Sequence, residues 1–193
     1  MRGKNMNRHF FIAVPLPLPI KNALNEKCET IKTSMHFKRW VHLEDYHITL
    51  AFLGNADMDQ LQLALKEIKE SLMKVPPFEL SIQGLNTFGR KEYPRILWAS
   101  IYESQPLNNV RDTVYKGCIK AGFDLDKKPF VPHITVARKW DETHGKMPFD
   151  VVMTEEMGLP TFLVEEVVLY ETKFEEIPKY HQKAVIRLEE LSK

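Results

Sequence analysis

Two short words in this 193-residue chain could do chemistry together: "HITLAFL", beginning at His47, and "HITVARK", beginning at His133. With its seven histidines and its content of Ile and Thr, chance predicts about 0.02 copies of His-Ile-Thr. Two copies therefore mark either two equivalent strands or two halves of one active site. An imidazole is the side chain best suited to proton transfer near neutral pH. A pair lets one ring act as base while the other acts as acid, each typically contributing about 10²–10⁴-fold in rate. The hydroxyls of Thr49 and Thr135, each one pleat beyond its histidine, can hydrogen-bond the non-bridging oxygens of a tetrahedral anion. Arg138 follows the second word and would offset charge developing on that anion, whereas Phe52 holds the equivalent place in the first. This set fits metal-free cleavage or transfer at a phosphodiester. It lacks the carboxylate cluster of a two-metal phosphoesterase.

The elements that must position these groups read as strands and helices in alternation. In a strand, period-two alternation puts His47, Thr49, Ala51 and Leu53 on one face, with Ile48, Leu50 and Phe52 on the other. It likewise sets His133, Thr135 and Ala137 against Ile134, Val136 and Arg138. Arg138 then reaches the histidine face only if the strand ends, bulges or twists there, while Lys139 is on that face by simple counting. "FFIAVPL" opens the first half as a strand, followed by a helix with Leu24, Cys28 and Ile31 at helical spacing. A second helix has Asp57 or Asp59 as N-cap and Leu61, Leu65, Ile68 and Leu72 on one face. The second half repeats the order with "PRILWASIY", a helix ending at Gly122, and "KPFVPHITVARKW". "VEEVVLYETKF" and "YHQKAVIRLEE" alternate as strands, and "DETHGKMPFDVVMTEEMGLP" reads as loop plus a short helix. The fold expected is α+β, bilobal and pseudo-twofold, with two antiparallel sheets flanked by helices and an active-site cleft between the lobes. One domain spans residues 1–193, with lobe one at about 9–90 and lobe two at about 91–190.

Composition bounds the function classes. A chain with 44% hydrophobic and 27% charged residues has core enough to fold without disulfides. Cys28 and Cys118 sit in helical segments without CxxC spacing, so they read as reduced core thiols of a cytoplasmic protein. The apolar opening "HFFIAVPLPLPI" is too short to span a membrane and is broken by Pro15, Pro17 and Pro19. The basic "MRGKNMNR" lacks the apolar region and cleavage site of a secretory leader. A net charge of +1 argues against wrapping nucleic acid with a basic surface, so phosphate recognition must be local.

Paired His-x-Thr words of this kind, set in "HFFIAVPLP", "RWVHLEDYHITLAFLG", "NTFGRKEYPRILWASI" and "PFVPHITVARK", resemble the two-histidine (2H) phosphoesterase superfamily. Within it the surrounding words are similar to the bacterial RNA 2′,3′-cyclic phosphodiesterases, formerly called 2′-5′ RNA ligases. The likeness runs from about position 9 to about position 140, with a looser echo in "VEEVVLYETK". It departs at His42 and Leu43, where a proline-rich turn is common, and in the final third, where only the strand pattern matches. The resemblance implies hydrolysis of an RNA 2′,3′-cyclic phosphate end to a 2′-phosphate, with reversible 2′-5′ ligation as the reverse reaction. It implies that His47 protonates the leaving 3′-oxygen, His133 activates water, Thr49 and Thr135 hold phosphate oxygens, and Arg138 offsets charge. By the residues alone the two histidines are interchangeable. No cofactor and no metal are expected, and the default is a monomer because one chain forms the whole cleft.

Other residues read as structural. His9, His36, His42, His144 and His181 fall in loops or at strand ends, and no HExxH or GxSxG word is present. "FGRKEYPRILW" interleaves Arg90, Lys91 and Arg95 with Phe88, Tyr93 and Trp98. It reads either as an ordinary turn or as a loop that meets a single-stranded RNA end, with Trp98 in the core. Phe11 also reads as core. Two other classes stay open: a two-histidine enzyme acting on a small cyclic nucleotide or nucleotide-sugar cyclic phosphate, and a non-catalytic RNA-end binding module.

Overall fold

A computed structural model describes residues 8–148 and 156–189. Within these residues ten strands and three helices alternate: β1 (His9–Pro15), α1 (Leu18–Ile31), β2 (Phe37–Trp40), β3 (His47–Asn55), α2 (Met58–Leu72), β4 (Phe78–Leu80), β5 (Ile82–Arg90), β6 (Tyr93–Ile101), α3 (Gln105–Lys120), β7 (His133–Trp140), β8 (Phe162–Val164), β9 (Glu166–Thr172) and β10 (Tyr180–Arg187). Every pairing is antiparallel. The main sheet runs β10-β9-β1-β3-β7-β6-β5, with β2 on β7, and β4 and β8 form a separate two-stranded sheet. The fold is the α+β arrangement expected.

Local chemistry explains the helix boundaries. Asp57 caps α2 by accepting a hydrogen bond from the Gln60 N–H, and Ser104 caps α3 by accepting from Leu107. Each such cap stabilises its helix by about 1 kcal/mol. Leu61, Ala64, Ile68 and Leu72 bury one face of α2, and Leu107, Val110, Val114 and Cys118 bury the matching face of α3. Both faces join a single core with the inward residues of the strands. Cys28 and Cys118 are free and fully buried, and loss of hydration raises their thiol pKa values to about 11 and about 12. They are inert core groups at neutral pH.

The main sheet is pinched at its middle. β3 and β7 share one residue pair, Ile48 with Ile134, and then diverge. One half of the sheet is β10-β9-β1-β3 and the other is β2-β7-β6-β5. The two sequence halves exchange strands: β2 and β5 sit with the later motif, β9 and β10 with the earlier one. Of "DETHGKMPFDVVMTEEMGLP", Glu142–His144 forms one 3₁₀ turn, while 149–155 lie outside the described residues. Among the described residues no helix is long and apolar enough to cross a membrane.

Candidate active site

The pinch point sets the two His-Ile-Thr segments side by side. His47, Thr49, His133, Thr135 and Arg138 line one cleft of about 470 Å³. Arg138 is there because β7 bulges. Leu97 of β6 pairs with Ala137 but Trp98 pairs with Thr135, which leaves Val136 without a partner on β6. The extra residue shifts the alternation by one, so Val136 and Ala137 are both buried and Arg138 turns to the exposed side with His133 and Thr135. β3 carries the same irregularity at the matching place. Ala13 of β1 pairs with Thr49 and Ile12 with Ala51, leaving Leu50 over. Phe52 therefore faces the cleft, 69% exposed, where simple alternation would bury it. Ala51, Leu53 and Ala137, placed on the histidine face by counting, are instead buried in the core. Lys139 has a left-handed backbone (φ 60°) and lines a neighbouring groove with Arg138.

Both imidazoles are anchored alike. His47 Nδ1 lies 2.7 Å from the carbonyl oxygen of Asp45, and His133 Nδ1 lies 2.7 Å from that of Val131. A carbonyl only accepts, so each Nδ1 carries a proton and each neutral ring offers its Nε2 lone pair. Thr49 donates its hydroxyl to that lone pair on His47 at 2.9 Å. The Asp45 side chain adds a second tie by accepting from the backbone N–H groups of Lys179 and Tyr180 at 2.9–3.1 Å. This buried carboxylate fixes the start of β10 against the turn that precedes His47.

Aromatic rings enclose both histidines. Phe11 lies 4.8 Å from the His47 ring and Tyr180 meets it edge-on at 5.0 Å. Phe88 and Trp98 meet His133 at 5.0 and 5.5 Å. Loss of hydration, reinforced by the charges of His133, Arg138 and Lys21, pulls the His47 pKa down to about 4 against the opposing pull of its bond to Asp45. His133 is lowered from its ordinary value by the same loss of hydration, with Arg138 adding to it. The free protein thus holds two neutral imidazoles beside an arginine, an arrangement receptive to an anion.

Sequence reasoning missed the second role of Phe11 and Trp98, which are core residues that also wall the site. It missed Tyr180 as well, whose ring packs on His47 from the weakly matching final third. Period-two alternation in "YHQKAVIRLEE" marked the strand but carried no sign of this contact. His9, read as structural, lines the rim of the cleft. His42 accepts a hydrogen bond from Glu44, and His181 sits 3.0 Å from Glu176, as structural residues do. No three His, Cys, Asp or Glu side chains converge as a metal site among the described residues.

Fold and site together define a pseudo-twofold protein whose cleft joins two His-x-Thr strands. The family model described as the 2′-5′ RNA ligase superfamily matches residues 20–173, and the chain belongs to that superfamily. It is 41% identical over 182 residues to an RNA 2′,3′-cyclic phosphodiesterase of Geobacillus stearothermophilus, which covers 93% of the chain and 57% of that relative's length. The chain therefore spans little more than half of that relative. It is 34% identical to an RNA 2′,3′-cyclic phosphodiesterase of Bacillus subtilis, over 90% of the chain and 93% of the relative. The fold superposes on the crystal structure of TT0787 of Thermus thermophilus with a TM-score of 0.79 at 22% identity, covering 95% of this chain and 100% of the other. Escherichia coli LigT complexed with 3′-AMP gives a TM-score of 0.78 at 21% identity, covering 95% and 99%.

Proposed function

We propose that this chain hydrolyses RNA 2′,3′-cyclic phosphate ends to 2′-phosphomonoesters, with His47 as general acid and His133 as general base. The names of its Geobacillus and Bacillus relatives, RNA 2′,3′-cyclic phosphodiesterases, support this reaction class. The observation that carries the mechanism is the pair of imidazoles anchored alike through Nδ1, which makes Nε2 the nitrogen of each ring that exchanges a proton, His47 Nε2 meeting the Thr49 hydroxyl until substrate takes it. Phosphorus sits between them. His133 Nε2 takes a proton from water as the water oxygen attacks phosphorus. The bond from phosphorus to the 3′-oxygen breaks on the opposite side, and that oxygen takes its proton from His47 Nε2. The 2′-ester bond survives, so the product is a 2′-phosphate.

Thr49 and Thr135 hold the non-bridging oxygens, and Arg138 stabilises the added charge of the transition state. Binding of the phosphate anion also raises the proton affinity of His47, which burial depresses. Ligation uses the same groups in the same direction. With a 5′-hydroxyl in place of water the site joins RNA ends through a 2′-5′ bond. A monomer suffices, because every group named comes from one chain.

The test is a short RNA ending in a 2′,3′-cyclic phosphate, incubated with EDTA, with 2′- and 3′-monophosphate products separated. The expected result is a 2′-phosphate, formed in EDTA. His47→Ala and His133→Ala should each lower kcat by about 10²–10⁴-fold with little change in KM. Near wild-type turnover in either variant would sink the assignment.

A further inference from the structure

A second groove, of about 380 Å³, opens from the cleft where Arg138 and Ile96 line both. Its walls bring Arg39 of β2, Arg95 of β6 and Lys139 of β7 around Arg138. All four cations are exposed. None of Arg39, Arg95 and Lys139 forms an ion pair among the described residues, although Lys38 beside them pairs with Asp141 at 3.3 Å. Glu142, the one carboxylate in the lining, is 3.7 Å from Arg90 instead.

Two features of the backbone set this cluster apart, and the first is offset only by an anion. Arg39 and Arg138 stand directly opposite each other on neighbouring antiparallel strands. Like charges in that relation destabilise a sheet. Lys139 is the only non-glycine residue with a left-handed backbone among the described residues, a conformation that a side chain disfavours. Unfavourable charge placement and unfavourable backbone conformation coincide at one end of β7, next to the catalytic cleft.

We infer that this groove binds the sugar-phosphate backbone of single-stranded RNA on the 5′ side of the reacting end, so that the enzyme selects oligonucleotides over mononucleotides. The inference rests on the reaction proposed above, because that reaction sets the direction of the strand. The ribose lies on the His47 side of phosphorus, since its 3′-oxygen takes the His47 proton. Arg138 borders that side too: it lines the cleft together with Tyr180, and Tyr180 packs on His47. A chain leaving the ribose in the 5′ direction passes Arg138 and enters the groove. Its phosphates meet Arg39, Arg95 and Lys139. Tyr93, with the Arg90 guanidinium 5.2 Å from its ring, flanks the path as a surface for a base.

The experiment compares kcat/KM for a pentaribonucleotide and for a mononucleotide, both ending in the same 2′,3′-cyclic phosphate. It uses the wild-type chain and an Arg39→Gln/Arg95→Gln/Lys139→Gln variant. The wild type should favour the pentanucleotide at least about tenfold at low salt, and the variant's preference should fall below about threefold. Three phosphate contacts on a single strand also predict that the wild-type preference shrinks by up to about eighteenfold between 50 and 200 mM salt. That salt response reads the groove even if the triple variant folds poorly. Equal use of both substrates by the wild type, or a preference that survives in the variant or ignores salt, overturns the inference and leaves the phosphodiesterase reading standing. Hydrolysis of neither substrate by the wild type removes both.

Discussion

At the residue scale, the consequence of enclosing each imidazole in aromatic rings is a proton inventory unlike that of free histidine. The proposed reaction needs His47 protonated and His133 neutral. Protonated His47 becomes scarce in the free protein as pH rises above about 4, because lost hydration disfavours its cation. Neutral His133 becomes abundant as pH rises through a value already below 6.5. The reactive combination therefore peaks between those two values. Since kcat/KM reports the free protein, it should be greatest below pH 6.5 and at least about tenfold lower at pH 8 than at pH 6. The kcat profile should lie at higher pH, because bound phosphate favours the protonated rings. A pH series of initial rates at low and saturating substrate checks both. A kcat/KM maximum at pH 7 or above would mean that burial does not govern these histidines.

At the element scale, two devices hold the site: the paired bulges and the helix layer behind the strands. The bulge at Val136 brings Arg138 to the cleft, and its counterpart at Leu50 brings Phe52 there. A one-residue insertion shifts every later side chain to the opposite face, so each bulge changes function without changing strand order. Behind them, α2 and α3 pack closely at Gly117. A Cβ there would come 2.6 Å from Ile68 Cγ1 and 3.3 Å from the Ile68 backbone nitrogen. Gly117→Ala gains about 1 kcal/mol in helix propensity but incurs overpacking of about 1–3 kcal/mol. The backbone contact leaves little room for Ile68 to rotate away, so the steric effect should win. Urea unfolding should give a midpoint below wild type. An unchanged or raised midpoint would show that the helices separate freely.

At the scale of the whole molecule, the same histidines couple the site to stability. In the unfolded chain both titrate near 6.5, whereas in the fold His47 falls to about 4 and His133 is lowered as well. Between these values the unfolded chain binds more protons, so stability falls as pH drops from 6.5 towards 4. His47 alone contributes about 3 kcal/mol across that window. Glu171, whose carboxylate is held below its usual range by Lys173 and Lys183 despite its burial, adds its loss only below about 4.5. Urea midpoints at pH 7 and pH 5 should therefore differ in wild type and differ less in His47→Gln. Equal pH dependence in the two proteins would disprove the coupling.

Much of the fold and site was legible in the order of residues, for identifiable reasons. Helical spacing at Leu61, Ile68 and Leu72 and the cap at Asp57 are local features, and local hydrogen bonding and burial suffice to produce them. Repetition of His-Ile-Thr announced two equivalent strands, because a twofold relation needs the same groups twice. The amino-acid sequence by itself thus determined the types of the main elements, the meeting of the two His-Ile-Thr strands, and the presence of Thr49 and Thr135 beside the histidines. What only the tertiary structure decided depends on neighbours distant in the chain. The face of Arg138 turns on a mismatch of register with β6, and the face of Phe52 on a mismatch with β1. The enclosure of His47 requires Tyr180, held in place by Asp45 across 135 positions. The basic groove exists because β2 pairs with β7 rather than with its sequence neighbours. Strand register and cross-chain pairing arise from the packing of the whole sheet, and no local pattern encodes them.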